Sequence, residues 1–593
     1  MASETIPKQS SYTKHNNQKF QLSQLFPILD WGRNYQRDNL TGDIMAGIIV
    51  AVMLVPQGMA YAMLAGLPPE VGLYASILPL VIYGLLGTSR SLAVGPVALV
   101  SLLVATGVSP LAEQGGVAYW QLALTLAFMV AIIQTLMGFL RVGFLVNFLS
   151  HPVLSGFTSA AAILIGFSQL KHVLGISVPR FEYFYETVWH TATHLTDTNL
   201  ITFGIGAGAV LLLLYFKYFL GGQLQRAGVA EAVALPVTKA APLVVVFLGT
   251  LLVWGFGLDT TAGVSIVGQV PAGLPPLTIP SFDLGTWQIL LPIALTISLV
   301  GYMESVSVAK SLASKKRQKI DANQELVALG AANLGAAFTG GYPVTGGISR
   351  SVVNYTAGAN TGLAAIITAV IIAITVLFFT PIFYFLPNAV LAAIIIVAVA
   401  GMVDVKTFRH VWAYSKTDGL AMLITFVAVL AVGVEQGILL GVLASLFILA
   451  WRISRPHVAI VGRVDDTEIY RNVVRHDVQT WPTAVAMRVD ESLYFANATY
   501  LEELVVQLLA DQPEMQHFVF IGTAINFIDA SALESLDAMH HALKDAGVTL
   551  HLAAMKGPVM DRLSASGLID DIGRENVHLS THEAMQAIGL VPA

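Results

Sequence analysis

Two isolated charges in apolar sequence are the residues of this chain best placed to do chemistry. Glu304 is the only acidic residue in the apolar run 289–308, and Arg350 is followed by no other Lys or Arg until Lys406. A guanidinium near the middle of a bilayer is costly without an anionic partner, and its forked donors suit an oxyanion. We expect Arg350 to hold an anion and Glu304 to exchange a proton beside it. The alternatives are an Arg350 that reaches the membrane surface, a permanent Glu304–Arg350 ion pair, or a sodium-ligating Glu304.

Glycine and proline interrupt two short apolar stretches, 93–107 and 345–358. Gly95-Pro96 and Gly346-Gly347 suit helix starts, because proline lacks the amide hydrogen that would be orphaned there and glycine allows close approach to the backbone. The free amides and positive dipole end of such a start attract anions. Two of them facing each other would form an anion site. The alternative is that both are kinks or tight helix contacts.

Gln57 and Tyr61 are four residues apart and would share one helix face. Both could donate a hydrogen bond to an anion without adding charge, or equally could pack between helices. The spacing also hints at an internal repeat, since 38 residues separate Gln57 from Gly95 and 42 separate Glu304 from Gly346. Inverted repeats with broken helices at the substrate site are common in transporters.

The elements that must position these residues are membrane helices. The chain is 55% hydrophobic and only 11% charged, which excludes a soluble globular enzyme. Eleven apolar blocks are long enough to span a bilayer: 44–62, 71–87, 117–140, 150–170, 199–220, 240–257, 287–309, 363–385, 387–403, 418–434 and 435–451. Three shorter stretches bring the predicted count to fourteen spans, and these are 93–107, 322–338 and 345–358.

Charge and composition narrow the function further. With 31 Lys+Arg against 37 Asp+Glu the net charge is -6, so nucleic acid is not an expected partner. Zero cysteine excludes disulfides and thiol catalysis. We find no nucleophile–base pair, metal cluster or phosphate loop, and the adjacent His540 and His541 are expected at the surface. The chain is therefore predicted to be no enzyme and to bind no metal or cofactor.

The distribution of charged residues predicts the orientation of the chain in the membrane and the boundaries of its domains. Loops carrying Arg90, Arg141 and the cluster 315–319 alternate with a long loop, 257–287, that has no Lys or Arg. The positive-inside rule then predicts both termini in the cytoplasm of a multi-pass plasma (inner) membrane protein. Charged residues return at soluble density after Arg452. The predicted domains are a cytoplasmic leader 1–39 with an interfacial segment at 26–31, a transmembrane domain 40–455 and a cytoplasmic domain 456–593.

The last domain alternates predicted strands with predicted helices, which indicates a small α/β layer. The strands are expected at 483–489, 517–522 and 548–553, and the helices at 498–509, 532–544 and 559–566.

Several motifs resemble those of the sulfate permease (SulP) anion transporters, and the likeness covers nearly the whole chain. They are Val55-Pro56-Gln57-Gly58-Met59-Ala60-Tyr61-Ala62, then Gly66-Leu67-Pro68-Pro69 and Gly72-Leu73-Tyr74, Gly301-Tyr302-Met303-Glu304-Ser305, and Ser349-Arg350-Ser351-Val352-Val353-Asn354-Tyr355-Thr356-Ala357-Gly358. The pattern around Arg350 is similar to the plant-sulfate-transporter-like branch.

This resemblance implies an α-helical polytopic fold of fourteen segments in two inverted seven-segment repeats, forming core and gate domains. The anion would lie between the third and tenth segments. The site residues carried over are Gln57, Tyr61, Val97, Ala98, Ser349 and Arg350, with Glu304 as the acid linked to proton coupling.

The resemblance also implies homodimers and a C-terminal STAS (sulfate transporter and anti-sigma-factor antagonist) domain. The loop 527–533 resembles that of anti-sigma-factor antagonists, but Ala530 stands where those relatives are phosphorylated. Ser531 is expected to act first as a helix cap.

These observations predict a proton-coupled sulfate symporter that works by moving its core domain past its gate domain. Its expected partners are a small inorganic anion, the lipid bilayer, a second copy of the chain and a cytoplasmic protein bound by the STAS domain. The alternatives within the family are sodium-coupled bicarbonate transport and proton-coupled dicarboxylate transport, and an uncoupled anion channel is a further alternative. The alternative outside transport is a membrane sensor that signals through its STAS domain.

Overall fold

A computed structural model describes residues 26–144, 150–179, 181 and 183–592. The chain divides into two compact units, Met1–Ser445 and Leu446–Ala593, and each is described by itself. Residues 1–25 of the predicted leader lie outside the described residues. The predicted interfacial segment contains the short helix α1 (Ile28–Trp31).

The first unit is helical. Its helices after α1 are α2 (Arg37–Leu64), α3 (Pro69–Tyr74), α4 (Leu78–Leu86), α5 (Ala98–Val108), α6 (Val117–Phe139), α7 (His151–Leu174), α8 (Phe184–Thr193), α9 (Leu200–Tyr215), α10 (Gly221–Arg226), α11 (Glu231–Lys239), α12 (Ala241–Phe256), α13 (Leu258–Thr261), α14 (Leu284–Lys315), α15 (Ala322–Phe338), α16 (Ile348–Thr356), α17 (Leu363–Phe378), α18 (Asn388–Val399), α19 (Val405–Tyr414), α20 (Lys416–Ala431) and α21 (Val434–Ser454). The last of these helices continues into the second unit.

Among the described residues, eight helical stretches are long and apolar enough to cross a bilayer, and one bent pair, α11 with α12, makes a ninth. Five shorter helices, α5, α15, α16, α17 and α20, bring the number of membrane segments to fourteen. The predicted polytopic helical fold is confirmed. The predicted span at 71–87 is divided into α3 and α4, and α2 and α14 each extend several residues beyond the predicted block.

The two sets of seven segments share one unusual unit in the same place. The third segment of each set is a short helix preceded by a two-residue strand, β1 (Val94–Gly95) before α5 and β2 (Thr345–Gly346) before α16. β1 and β2 pair antiparallel with each other. The third and tenth segments are therefore joined by backbone hydrogen bonds.

Two fully buried carboxylates fasten the loops around these short segments. Glu325, at the start of α15, accepts hydrogen bonds from the Tyr83 hydroxyl at 2.7 Å, from the Thr88 amide at 2.7 Å and from the Ser89 amide at 3.0 Å. Asp43 in α2 accepts from the amides of Asn360 and Thr361 at 2.7 and 3.0 Å. A buried carboxylate is tolerated only when its lone pairs are satisfied in this way.

The second unit is an α/β layer. Its strands β3 (Val458–Arg463), β4 (Tyr470–Asn472), β5 (Ala484–Val489), β6 (His517–Ile521), β7 (Thr549–Ala553) and β8 (Val577–His578) form one sheet in the order β4-β3-β5-β6-β7-β8. β5 to β8 are parallel, and β3 pairs antiparallel with both β4 and β5. The helices are α22 (Phe495–Asp511), α23 (Ala530–Asp545), α24 (Gly557–Ala565), α25 (Leu568–Ile572) and α26 (Thr581–Ala587). The predicted α/β layer is confirmed, with three strands more than predicted.

Two local predictions in this unit are wrong. His540 is buried at 6% exposure, because the turn of α23 places it on the face that also carries Leu536 and Leu543. Only His541 lies at the surface. The cap of α23 is Asp529, whose carboxylate accepts from the Ala532 amide at 2.8 Å, so Ser531 lies inside the helix instead of capping it.

Three histidines form a chain of hydrogen bonds across three neighbouring strands of this sheet. Nδ1 of His517 lies 3.1 Å from Nε2 of His551, and Nδ1 of His551 lies 3.2 Å from Nε2 of His578. Both ring nitrogens of His551 are engaged, and this residue is 4% exposed.

Candidate functional site

The centre of the candidate site is the ladder between β1 and β2. Val94 is opposite Gly346 and Gly95 is opposite Thr345. The Gly347 amide adds a further hydrogen bond to the Ala93 carbonyl at 3.0 Å. Because α5 and α16 begin within three residues of this ladder, their N-terminal ends are fixed next to each other.

Neither helix start is capped by a side chain. α5 begins after the N-cap Val97 and α16 after the N-cap Gly347, and none of the described side chains accepts from the first-turn amides of either helix. These amides therefore remain available to an anion, and the dipoles of both helices favour negative charge at this place. The sequence prediction of two helix starts at Gly95-Pro96 and Gly346-Gly347 corresponds to this geometry.

Arg350 reaches from α16 across to the other half of the unit. Its side chain is 2% exposed, and Nη1 donates to the Pro96 carbonyl at 2.6 Å. Nε and Nη2 are buried and have no hydrogen-bond partner among the described residues. Leaving charged donors buried and unpaired is unfavourable, so this arrangement is suited to an acceptor that comes from outside the protein.

Two glycines leave room beside this guanidinium. A Cβ atom on Gly95 would lie 3.4 Å from Nη2 of Arg350, and one on Gly347 would lie 3.0 Å from it. Gly95 also has a φ of 149°, a conformation that side chains rarely adopt. Glycine at position 95 thus serves both the backbone turn and the space around the free guanidinium nitrogens.

Glu304 and Tyr61 lie near Arg350. Tyr61 is close enough to interact electrostatically with both Arg350 and Glu304. Glu304 forms no ion pair with Arg350 in the described structure, and Oε2 of its carboxylate is buried without a hydrogen-bond partner. The permanent ion pair, one of the alternatives from the sequence, is therefore absent between these two described residues. Gln57 is buried one turn before Tyr61 on the same face of α2.

The remaining predicted residues lie at the two helix starts with different exposure. Val97 and Ala98 are buried at 5% and 6% exposure and contribute backbone at the start of α5. Ser349 is exposed in the first turn of α16, next to the buried Arg350. The structure thus brings Arg350, Glu304 and Tyr61 into one cluster, and it places Val97, Ala98 and Ser349 at the two uncapped helix ends.

A set of buried polar side chains holds the ladder in place, and sequence reasoning did not identify them. Ser305, one residue after Glu304, accepts from the Gly346 amide at 2.8 Å and shares a 2.7 Å hydrogen bond with the Thr345 hydroxyl. Asn333 binds both the amide and the carbonyl of Val344, at 2.7 and 3.0 Å. These residues fix the position of the site without facing it.

Ser351, in α16, also holds the ladder between β1 and β2 in place. Its hydroxyl accepts from the Ala93 amide at 2.9 Å and donates to the Gly347 carbonyl at 2.7 Å. On the other short helix, the Ser101 hydroxyl is 2.9 Å from the Tyr342 hydroxyl. Serine and tyrosine are common in membrane helices, so only the fold identifies these contacts.

The second half of α14 has a polar exposed face that begins one turn after Glu304. Ser307, Lys310, Ser311 and Ser314 are all exposed on this face. Three of these four lie beyond residue 309, the end of the predicted span, where exposed polar side chains are compatible with water. α16 packs against α14 and also exposes Ser349. The exposed polar face therefore runs along α14 from near Lys315 towards Glu304.

Comparison with known proteins shows the family of the chain. The sequence profile of the sulfate permease family matches residues 40–425, and that of the STAS domain matches residues 475–584. The chain is 37% identical over 578 residues to the probable sulfate transporter 4.2 of Arabidopsis thaliana, covering 95% of this chain and 84% of the relative. It is 33% identical over 588 residues to the high affinity sulfate transporter 2 of Stylosanthes hamata, covering 96% and 87%.

The fold is also that of a solved structure. The murine Solute Carrier 26 family member A9 anion transporter, in the inward-facing state, superposes with a TM-score of 0.88 at 24% identity and covers 97% of this chain and 96% of its own. At that identity the likeness concerns the fold. The two matched profiles and the two plant relatives carry the assignment, and on them the chain belongs to the sulfate permease family, with a STAS domain at its C-terminal end.

Proposed function

We propose that this chain is a secondary active transporter that carries sulfate through the membrane together with protons. The observation that carries the proposal is the buried guanidinium of Arg350, with two nitrogens free of partners, beside two uncapped helix starts. The names of the relatives, which are sulfate transporters, support sulfate as the anion.

In this proposal the anion binds between the starts of α5 and α16. First-turn amides donate from both helices, and Nε and Nη2 of Arg350 supply fixed positive charge. Ser349, Gln57 and Tyr61 offer further neutral donors. A tetrahedral oxyanion presents acceptors in several directions at once, which is what donors converging from two helices and a side chain require.

Glu304 is proposed to link the anion to the proton gradient. Its carboxylate is not paired with Arg350, so a negative charge on it would repel an anion bound nearby. Protonation removes this repulsion, and binding of proton and anion are therefore mutually favourable. Sodium coupling would instead require several oxygen ligands around one ion.

Uptake of radiolabelled sulfate into proteoliposomes tests both parts. We expect uptake to be driven by an imposed inward proton gradient and to be competed weakly by bicarbonate and succinate. Glu304→Gln should retain sulfate binding and lose the acceleration by the proton gradient. Glu435→Gln, which changes a partly buried carboxylate at the start of α21, is the matched control.

Other results would reject specific parts of the proposal. Uptake driven by sodium without a proton requirement would indicate a sodium-coupled carrier, and preference for bicarbonate or succinate would replace sulfate. A pH dependence unchanged in Glu304→Gln would remove Glu304 from coupling. Currents with a fixed unitary conductance would indicate a channel.

We further propose how the chain is oriented in the membrane, how it divides into domains and how it assembles. The positive-inside bias supports cytoplasmic termini in the plasma membrane, and the same bias puts the polar end of α14 on the cytoplasmic side. The proposed domains are a leader 1–39, a transport domain 40–455 and a STAS domain 456–593. A homodimer and a cytoplasmic partner of the STAS domain are part of the same proposal, and cross-linking of the intact protein in native membranes tests them.

A further inference from the structure

A second polar cavity, separate from the anion site, lies at the ends of the membrane helices. It has a volume of about 710 Å³ and is lined by four parts of the chain: the helix α1 segment, the loop 87–90 after α4, the loop 316–321 between α14 and α15, and Gly362 just before α17. Both loops connect membrane segments, so the cavity lies at the level of the membrane surface.

The cavity is rich in basic side chains. Arg90, Lys316, Arg317 and Lys319 line it together with two acids, Asp30 and Asp321. Asp321 is already engaged as the cap of α15, where its carboxylate accepts from the amides of Asn323 and Gln324 at 2.9 and 3.1 Å. Asp30 forms an ion pair with Arg90 at 3.9 Å, and two acids against four cations leave the lining with a net charge of +2.

Two of these cations have no partner. Arg317 and Lys319 are exposed, and their side chains form no ion pair or hydrogen bond with any described residue. Lys316 already has partners within the protein, since its ammonium donates to the Ala359 carbonyl and lies 5.3 Å from the centre of the Tyr355 ring. The pair Arg317 and Lys319 is therefore the free positive charge of the cavity.

A neutral donor on the wall also lacks an acceptor. Trp31 lines the cavity, and its indole Nε1 is buried without a hydrogen-bond partner among the described residues. A buried N–H without an acceptor is unfavourable, so an oxygen-rich ligand would complete it. Cationic groups and this indole together match a phosphate ester.

The side chains next to the cavity are suited to lipid. Phe26 and Leu29 are 42% and 52% exposed, and Trp31 follows them just before α2 enters the membrane. Exposed aromatic and aliphatic side chains beside basic ones are typical of segments that lie in the membrane interface. A ligand that carries both a phosphate and acyl chains can contact both surfaces.

We propose that this cavity binds the phosphate headgroup of an anionic membrane lipid. The phosphate contacts Arg317, Lys319 and the indole N–H of Trp31, and the acyl chains lie along Phe26 and Leu29. Ser89 and Arg90, on the cavity wall, are only a few residues before β1, so the headgroup contacts a loop that leads directly into the anion site.

Native mass spectrometry of the full-length protein in nonionic detergent tests this proposal, with phosphatidylglycerol and phosphatidylcholine titrated separately. A basic side chain at an anionic membrane surface contributes about fivefold to affinity, so Arg317→Gln with Lys319→Gln should weaken phosphatidylglycerol binding about 25-fold. Lys406→Gln with Arg409→Gln removes the same charge from exposed positions on α19 and should change binding less than threefold, about what diffuse surface charge allows. Trp31→Phe keeps an aromatic ring at this position, removes the N–H donor and should weaken phosphatidylglycerol binding about fivefold.

Three results would overturn the proposal. Equal losses in the two double variants would mean that only net charge matters. Equal binding of phosphatidylcholine would mean that the acyl chains alone are recognised. Displacement of phosphatidylglycerol by millimolar inorganic phosphate or sulfate would identify a site for a free anion instead of a lipid. Sulfate uptake by the same variants, measured separately, reports on the transport proposal.

Discussion

The histidine chain of the C-terminal sheet makes the stability of this domain depend on pH. Burial, and after it the neighbouring His517 and His578, lower the pKa of His551 to about 4 from the ordinary 6.5. Burial lowers the pKa of His517 and of His578 in the same direction. Between pH 6.5 and 4 the unfolded domain therefore binds more protons than the folded one, so the free energy of unfolding is greatest above pH 6.5 and falls as the pH falls.

The size of the effect follows from the two pKa values. At pH 5 a histidine of pKa 4 in the folded state and 6.5 in the unfolded state lowers the free energy of unfolding by about 2 kcal/mol relative to pH 7.5. Partial solvent screening reduces this to between about 1 and 2 kcal/mol. Such a change is a considerable part of the total stability of a small domain.

Urea denaturation of a fragment 456–593, followed by circular dichroism at pH 7.5 and 5.0, measures this difference. The fragment contains the whole six-stranded sheet and its packed helices. His551→Gln keeps a donor and an acceptor for both neighbours but cannot titrate, so its loss of stability at pH 5.0 should be about 1 kcal/mol smaller than in the wild type. His541→Gln, on the exposed face of α23, should behave like the wild type. Equal pH dependence in the wild type and His551→Gln would refute the reasoning.

Three further predictions concern the membrane unit. Arg350→Lys keeps the charge and loses the forked donors, so sulfate affinity in a scintillation proximity assay should fall about 10- to 100-fold; an unchanged affinity would exclude the guanidinium from the site. Gly95→Ala should abolish binding, because side chains rarely adopt the φ of 149° that the backbone has there, while Gly204→Ala, which has open space, should bind normally; binding in both would show that Gly95 is not needed. Glu325→Gln weakens four charge-assisted hydrogen bonds and should destabilise the protein by about 3 kcal/mol in thermal unfolding, and an unchanged melting temperature would contradict this.

Parts of the site could be predicted because a charge in an apolar helix is rare. Glu304 and Arg350 stand out in the sequence for this reason, and glycine next to proline at 95 and 96 marks a helix start by its own chemistry. The segment boundaries were less accurate where a span is broken, as between α3 and α4, because hydropathy averages over the break.

The residues that position the site could not be predicted, since their partners are distant in sequence. Ser305 bonds to Thr345, 40 residues later, and Asn354 bonds to the Ser91 carbonyl, 263 residues away. Nothing in a serine or an asparagine marks such a contact before the two halves meet. The error at His540 has a different cause: two adjacent polar residues on a helix face different directions, and the pattern of Leu536 and Leu543 shows that the first faces the core.

The pairing of β1 with β2 limits how the protein can expose its site to either side of the membrane. The atoms that would hold the anion come from both halves of the unit, yet four residues of backbone pairing and the bond from Arg350 to Pro96 join them into one frame. Separating the two helix starts would break that frame in a medium with no water to replace its hydrogen bonds. We therefore expect exposure to opposite sides to come from displacement of the intact frame against its surroundings, with the geometry around the anion unchanged in both states.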